Sequence, residues 1–179
     1  MYSTQKGFTL IELMVTLAVL AVVASVAVPS FSTMINNNRS VTLAEDMAGA
    51  LNYARSEAVK RSTNVTLCAS ADGSACDGTW TDHWIVFVDT ASENAAIPVV
   101  GGVLRQWQPP GGNAVVSAKQ NSVDVGFVRF TGKGLLGVSA SGSVEINSSV
   151  SGCAANAGRT LTIGIAGVVS VARNASGCS

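Results

Sequence analysis

Histidine is nearly absent from this chain: His83 is the only one in 179 residues. It follows Asp82 and lies between Trp80 and Trp84. No Ser-His-Asp order and no metal-ligand cluster accompanies it, so His83 reads as part of a surface turn and catalysis finds no support. Gly132-Lys133-Gly134 lacks the rest of a phosphate loop and reads as a turn. Charge is scarce, at 12% of residues, and neither sign prevails: 11 basic side chains face 11 acidic ones. Without a basic excess, binding to nucleic acid would have to come from a local patch. No fixed-period repeat stands out. The expectation is a protein that is not an enzyme and holds no cofactor or metal. Trp80, Trp84 and Trp107 read as core or interface anchors rather than base-stacking platforms.

What the chain does have is an apolar run over residues 8–28 in which Glu12 is the only charge. A helix needs about 20 mostly apolar residues to span a bilayer, and this run supplies them. A carboxylate in hydrocarbon costs roughly 2.5–3.5 kcal/mol on insertion scales, so Glu12 calls for a partner. The residues before it, Met1-Tyr2-Ser3-Thr4-Gln5-Lys6-Gly7, are short, polar and singly positive. An ordinary secretory signal places its small-residue cleavage site after the apolar core. Here Gly7 stands before it, so cleavage after Gly7 would leave the helix on the mature chain. It would also create an amine at Phe8, four residues before Glu12.

Gly7-Phe8-Thr9-Leu10-Ile11-Glu12-Leu13 resembles the class III signal of type IV prepilins and type II secretion pseudopilins. The resemblance implies cleavage after Gly7 and N-methylation of Phe8 by a prepilin peptidase. It places Glu12 at mature position 5 and the helix-kink proline at Pro29. Pro29 is expected to interrupt the helical pattern. The Glu12 carboxylate would pair with the Phe8 amine of a neighbouring subunit, or with its own amine, and so set register more than add stability. The implied domains are a leader peptide (1–7), a transmembrane and filament-core helix (8–35), and a periplasmic α+β globular domain (36–179). Removing Lys6 with the leader leaves a side-chain balance of 10 − 11 = −1.

Beyond Asn36-Asn37-Asn38, a weak helical stretch, Ala44, Met47, Leu51, Ala54 and Ala58 recur every three or four residues. They form one apolar stripe of an amphipathic helix. Glu57 and Arg61 stand at i,i+4 on a side expected to be exposed. From Asn64 the period changes. Strands are expected at Val65–Leu67, Trp84–Asp89, Ala114–Val116, Val123–Phe130, Gly142–Ile146, Thr160–Ile165 and Val168–Ala172, with a terminal hairpin about Gly167. Pro109–Gly112 marks a loop. The four cysteines, Cys68, Cys76, Cys153 and Cys178, lack the close spacing of a zinc site. An even count in an exported chain suits disulfides. Of three pairings, the local one, Cys68–Cys76 with Cys153–Cys178, is preferred. The first would close a small polar loop, and the second would pin the C-terminus.

Leu51–Arg61, Val65–Cys68 and Trp84–Asp89, with Phe130–Gly134 and Gly158-Arg159, resemble the GspH/FimT family of minor pilins and pseudopilins. The resemblance implies an α+β, type IV pilin-like fold: a long N-terminal helix packed on a mainly antiparallel sheet. It implies a minor pilin of a type IV pilus, held in the bacterial inner membrane and built into a tip complex that initiates pilus assembly, with roles in twitching motility and adhesion. Implied partners are other minor pilins, the major pilin, the prepilin peptidase, the inner-membrane assembly platform and membrane lipid. C-terminal bridges such as one at Cys178 are associated more with pilins than with the alternative, a type II secretion pseudopilin. A further alternative is a DNA receptor for natural transformation. Some FimT-type pilins bind DNA through a C-terminal Gly-Arg-x-Arg motif; here Gly158-Arg159-Thr160-Leu161 lacks the second arginine. Arg173 would stand beside Arg159 in a hairpin, with Lys133 or Lys119 as added cations. Arg55, Glu57 and Lys60 fit a solvated helix face better than a functional surface.

Overall fold

The computed structural model describes residues 7–108, 111, 113–137, 142–174 and 178. One helix, α1 (Leu10–Arg61), carries the chain from its start to the far end of the globular part. Nine strands follow: β1 (Val65–Ser70), β2 (His83–Asp89), β3 (Val100–Trp107), β4 (Ala114–Gln120), β5 (Val123–Asp124), β6 (Phe127–Phe130), β7 (Val144–Val150), β8 (Arg159–Ile163) and β9 (Val169–Arg173). All strand pairs are antiparallel. They make two sheets rather than the single one expected, in the orders β3-β2-β1-β6 and β5-β4-β7-β8-β9.

The expected stripe is the core face of α1: Ala44, Met47, Leu51, Ala54 and Ala58 are all buried. It packs on Val65, Leu67 and Val86 of one sheet and on Ile146, Leu161 and Ile163 of the other. Trp80 and Trp84 are core anchors whose indole N–H groups donate to Val125 O (2.7 Å) and Trp80 O (2.8 Å). The helix closes where Ser62 turns left-handed (φ 52°).

α1 runs through Pro29 rather than ending there, and the proline's side chain lies outside the described residues. A proline inside a helix removes one backbone hydrogen bond and favours a kink. The expected strand Val123–Phe130 divides at Gly126, and its halves join different sheets. β3 was not expected at all. It begins Val-Gly-Gly and lies at a sheet edge with most side chains exposed, so it has neither the propensity nor the alternation of a buried strand. The hairpin β8–β9 turns at Gly164–Gly167, where Gly167 has φ 71°. Of the Pro109–Gly112 loop, only Gly111 is among the described residues.

Asn36–Asn38 is a docking segment as well as a stretch of helix. Asn36 Nδ2 donates to Ser151 O (3.3 Å), Asn37 Oδ1 accepts from Ala154 N (2.7 Å), and the buried Ser40 Oγ accepts from Val150 N (2.9 Å). These bonds fasten the end of β7 to the helix. Beside it, Cys153 bridges to Cys178; Cys68 bridges to Cys76 at the end of β1.

Candidate processing and assembly site

The start of α1 is built by its own cap. Thr9 is extended (φ −80°, ψ 152°), and its Oγ1 accepts the Glu12 amide at 3.3 Å. Glu12 Oε2 in turn accepts the Thr9 amide at 2.9 Å and the Thr9 hydroxyl at 2.8 Å. This reciprocal capping box satisfies donors that a helix start otherwise leaves open. It also turns the Glu12 carboxylate toward the chain start, onto the residue next to Phe8. Phe8 is 87% exposed, and apart from its chain neighbours no described atom lies within 4 Å of where a Gly7 side chain would begin.

From Leu10 to Met34 the described large apolar side chains of α1 are exposed, while burial on the same helix begins with Ser40 and Leu43. One helix therefore does two jobs. Its second half is the core of the globular part, and its first half is an apolar rod that the rest of the chain leaves uncovered.

The candidate cations do not form one cluster. Arg159 and Arg173 are direct cross-strand partners on β8 and β9. With Asn37, Asn38 and Val41 they line a small open pocket against α1. Arg159 Nη1 donates to the carbonyls of Asn156, Ala157 and Gly158. Lys119 lies on β4, opposite Glu145 and 3.9 Å from Asp124. Lys133 sits in the turn whose Gly134 carbonyl accepts Arg55 Nε at 3.0 Å. Residue 55 is 17 residues along α1 from residue 38, or about 25 Å at 1.5 Å per residue. The structure thus joins Arg173 to Arg159 and leaves Lys119 and Lys133 elsewhere.

Arg55 also donates to Ala166 O (3.0 Å), so it ties two turns to the helix. Glu57 is buried rather than exposed. Arg61 Nε at 2.7 Å and Lys60 Nζ at 3.3 Å hold it, and the Arg61 bond keeps its carboxyl below the usual glutamate range. Sequence reasoning missed one charged pair entirely. Arg129 Nε meets Asp89 Oδ2 at 2.7 Å with both side chains fully buried. Arg129 also donates to the carbonyls of Glu93, Ala95 and Ile97, which fixes the loop between β2 and β3. Among the described residues no group of three His, Cys, Asp or Glu side chains is placed to hold a metal ion.

Residues 43–167 match the family described as Type II transport protein GspH, and residues 2–28 match the prokaryotic N-terminal methylation motif. The chain belongs to the GspH family. A fimbrial protein of Neisseria meningitidis serogroup B (strain MC58) is 28% identical over 115 residues, covering 60% of this chain and 68% of that protein. Two crystal structures of the type IV minor pilin FimU of Pseudomonas aeruginosa PAO1 align with TM-scores of 0.57 and 0.53 at 24% identity. They cover 75% and 73% of this chain and 89% and 90% of theirs. At that identity the likeness establishes the fold: a long helix packed on antiparallel sheets, as in a type IV pilin. The GspH family and this fold are structural, not catalytic. The family implies association with other pilin subunits, and the apolar helix with its methylation motif suits a pilin anchored in the inner membrane.

Proposed function

We propose that this GspH-family protein is a minor pilin of a type IV pilus, built into the tip complex that initiates assembly. The observation that carries the reading is the divided helix. Between Leu10 and Met34 the exposed large side chains are apolar apart from Glu12, a surface that the inner membrane covers before assembly and neighbouring helices cover afterwards. Cleavage after Gly7 removes the leader, 1–7, and leaves Phe8 as a methylated N-terminus. Residues 8–35 then form the anchor and filament-core helix, and 36–179 the periplasmic domain. The Glu12 carboxylate, already turned onto Thr9, stands one residue from the new amine and meets either its own or a neighbour's. Pro29 lies within that anchor helix, where the missing amide favours a kink. The other minor pilins, the major pilin, the prepilin peptidase and the assembly platform are the partners this reading requires.

The test is a count of surface pili in a strain lacking the gene, with retraction also blocked. Loss of pili, restored by the wild-type gene, is the expected result. Normal piliation would refute the priming role and move the assignment to type II secretion or to DNA capture, with secretion and transformation assays separating them. One observation supports a DNA-receptor reading: Arg159 and Arg173 are paired across β8 and β9 on one side of the sheet. Phosphate contacts by two arginines would be weak and salt-sensitive. Loss of low-salt DNA binding in Arg159→Ala and Arg173→Ala is its test.

A further inference from the structure

A groove of about 920 Å³ opens where α1 meets the facing ends of the two sheets. Leu43, Trp84 and Val150 give it an apolar floor, and Arg39, Asp46 and Arg105 stand around it. Arg105 is held in place by aromatic rings, with Cζ 4.6 Å from the Trp107 ring centroid and 5.6 Å from that of Tyr53. Among the described residues neither Arg39 nor Arg105 enters an ion pair. Two cations against one carboxylate, over an apolar floor, suit an occupant with an aliphatic side chain and an acid.

The same chain displays such a segment at its other end. The loop between β2 and β3 exposes Glu93 and, at 75%, Ile97. Arg129 fixes its backbone through three carbonyls, so the loop is ordered before it meets anything. It sits beside the end of α1, where Asn64 Nδ2 donates to Ala91 O (3.0 Å). The groove residues of α1 end at Asp46, so the 15 residues from there to Arg61 separate the two surfaces by about 23 Å or more.

We propose that the groove receives the Glu93–Ile97 loop of a second copy of this chain, head to tail. Ile97 covers the floor, and Glu93 meets Arg39 and Arg105. The contact is heterologous, so each copy uses its groove toward one neighbour and its loop toward another, and the copies add in one direction unless the rotation between them closes a ring. Two copies anchored at one membrane level cannot form it; one must first be raised along its axis. The proposal goes beyond the tip role and does not depend on it.

The test uses the full chain in detergent micelles holding one chain each, where helix depth no longer ties two heads to one level. Asn38→Cys copies are mixed with Asn94→Cys copies and treated with a short bis-maleimide, which reacts with free thiols and not with the two bridges. Cross-linking is expected in the mixture and not in either variant alone. Adding Glu93→Arg to the Asn94→Cys copy should lower the yield about tenfold or more, as reversing a charge at a polar contact does. Arg39→Glu with Arg105→Glu in the other copy should restore it. Absence of the mixed product would overturn the proposal and leave the groove to a different subunit. Equal product from single variants, indifference to Glu93→Arg, or failure of the restoring pair would overturn it too.

Discussion

Replacing Arg129 by methionine tests the energetic centre of the β2–β3 region. The substitution keeps most of the side-chain volume and removes the guanidinium. Asp89 would then remain fully buried, with Thr66 Oγ1 at 2.8 Å and the amides of Val99 (2.9 Å) and Ala91 (3.0 Å) as its partners. Those three donors still solvate the carboxylate, but its countercharge is gone. Breaking one side of a buried pair costs about 3–5 kcal/mol, most of it from the charge left behind. The loss of bonds to three loop carbonyls adds to this. The expected destabilisation at pH 7 is therefore about 3–5 kcal/mol, read from denaturant unfolding of the full chain in mild detergent by fluorescence of Trp80, Trp84 and Trp107.

The cost depends on pH in a stated direction. In the wild type, burial would raise the Asp89 carboxyl, but the Val99 and Ala91 amides, Arg129 and Thr66 together hold it below its ordinary 3.8. A lowered carboxyl stabilises the fold above its unfolded value, and that stability is lost as pH falls through the folded one. Without Arg129 the carboxyl titrates higher, and protonation removes the penalty earlier. Wild type and variant should thus converge as pH falls from 7 toward 3. A loss under about 1 kcal/mol, the range of a surface pair, would refute the reasoning, as would a loss constant with pH.

Ser40→Ala removes the acceptor of the buried Val150 amide and should cost about 1–3 kcal/mol in the same unfolding assay. Opening the Cys153–Cys178 bridge, with a sequence separation of 25, should cost about 3.5 kcal/mol by chain entropy; opening Cys68–Cys76, with a separation of 8, about 2.5 kcal/mol. Paired Cys→Ser variants measure both, and the reverse order would count against the entropic account. Glu12→Ala should leave membrane insertion intact and reduce incorporation into sheared pili severalfold, measured by immunoblot of both fractions; normal incorporation would sink the charge-pair mechanism.

What could be read in the sequence was set by the range of the interaction. The helix stripe at Ala44 to Ala58 repeats within single turns, so local spacing revealed it, and so did the Glu12 signal, whose members lie within six residues. Trp84 to Asp89 is apolar enough to declare a central strand without knowledge of its neighbours. Cys68 and Cys76 are near enough in sequence for one bridge to be the economical reading. Val123 to Phe130 shows the limit of the method. Its alternation is real, but nothing local says that Gly126 hands one half to each sheet.

The features that remained hidden join residues far apart in the chain. Asp89 and Arg129 are 40 residues apart, and each looks like the charged end of a strand until β1 brings β2 and β6 together on either side of it. A buried charge gives no periodic signal; its partner is found only through register. The same holds for Ser40 and the Val150 amide, 110 residues away, and for Arg105, which packs on Tyr53 from a strand that composition did not reveal. The reasoning also runs the other way. Arg173 was placed beside Arg159 because a short hairpin fixes register through its turn, and the two are direct partners. Lys119 and Lys133 carry the same charge, but no hairpin links them to that pair, and the fold sends them elsewhere. Local chemistry nominates residues, and register decides which of them meet.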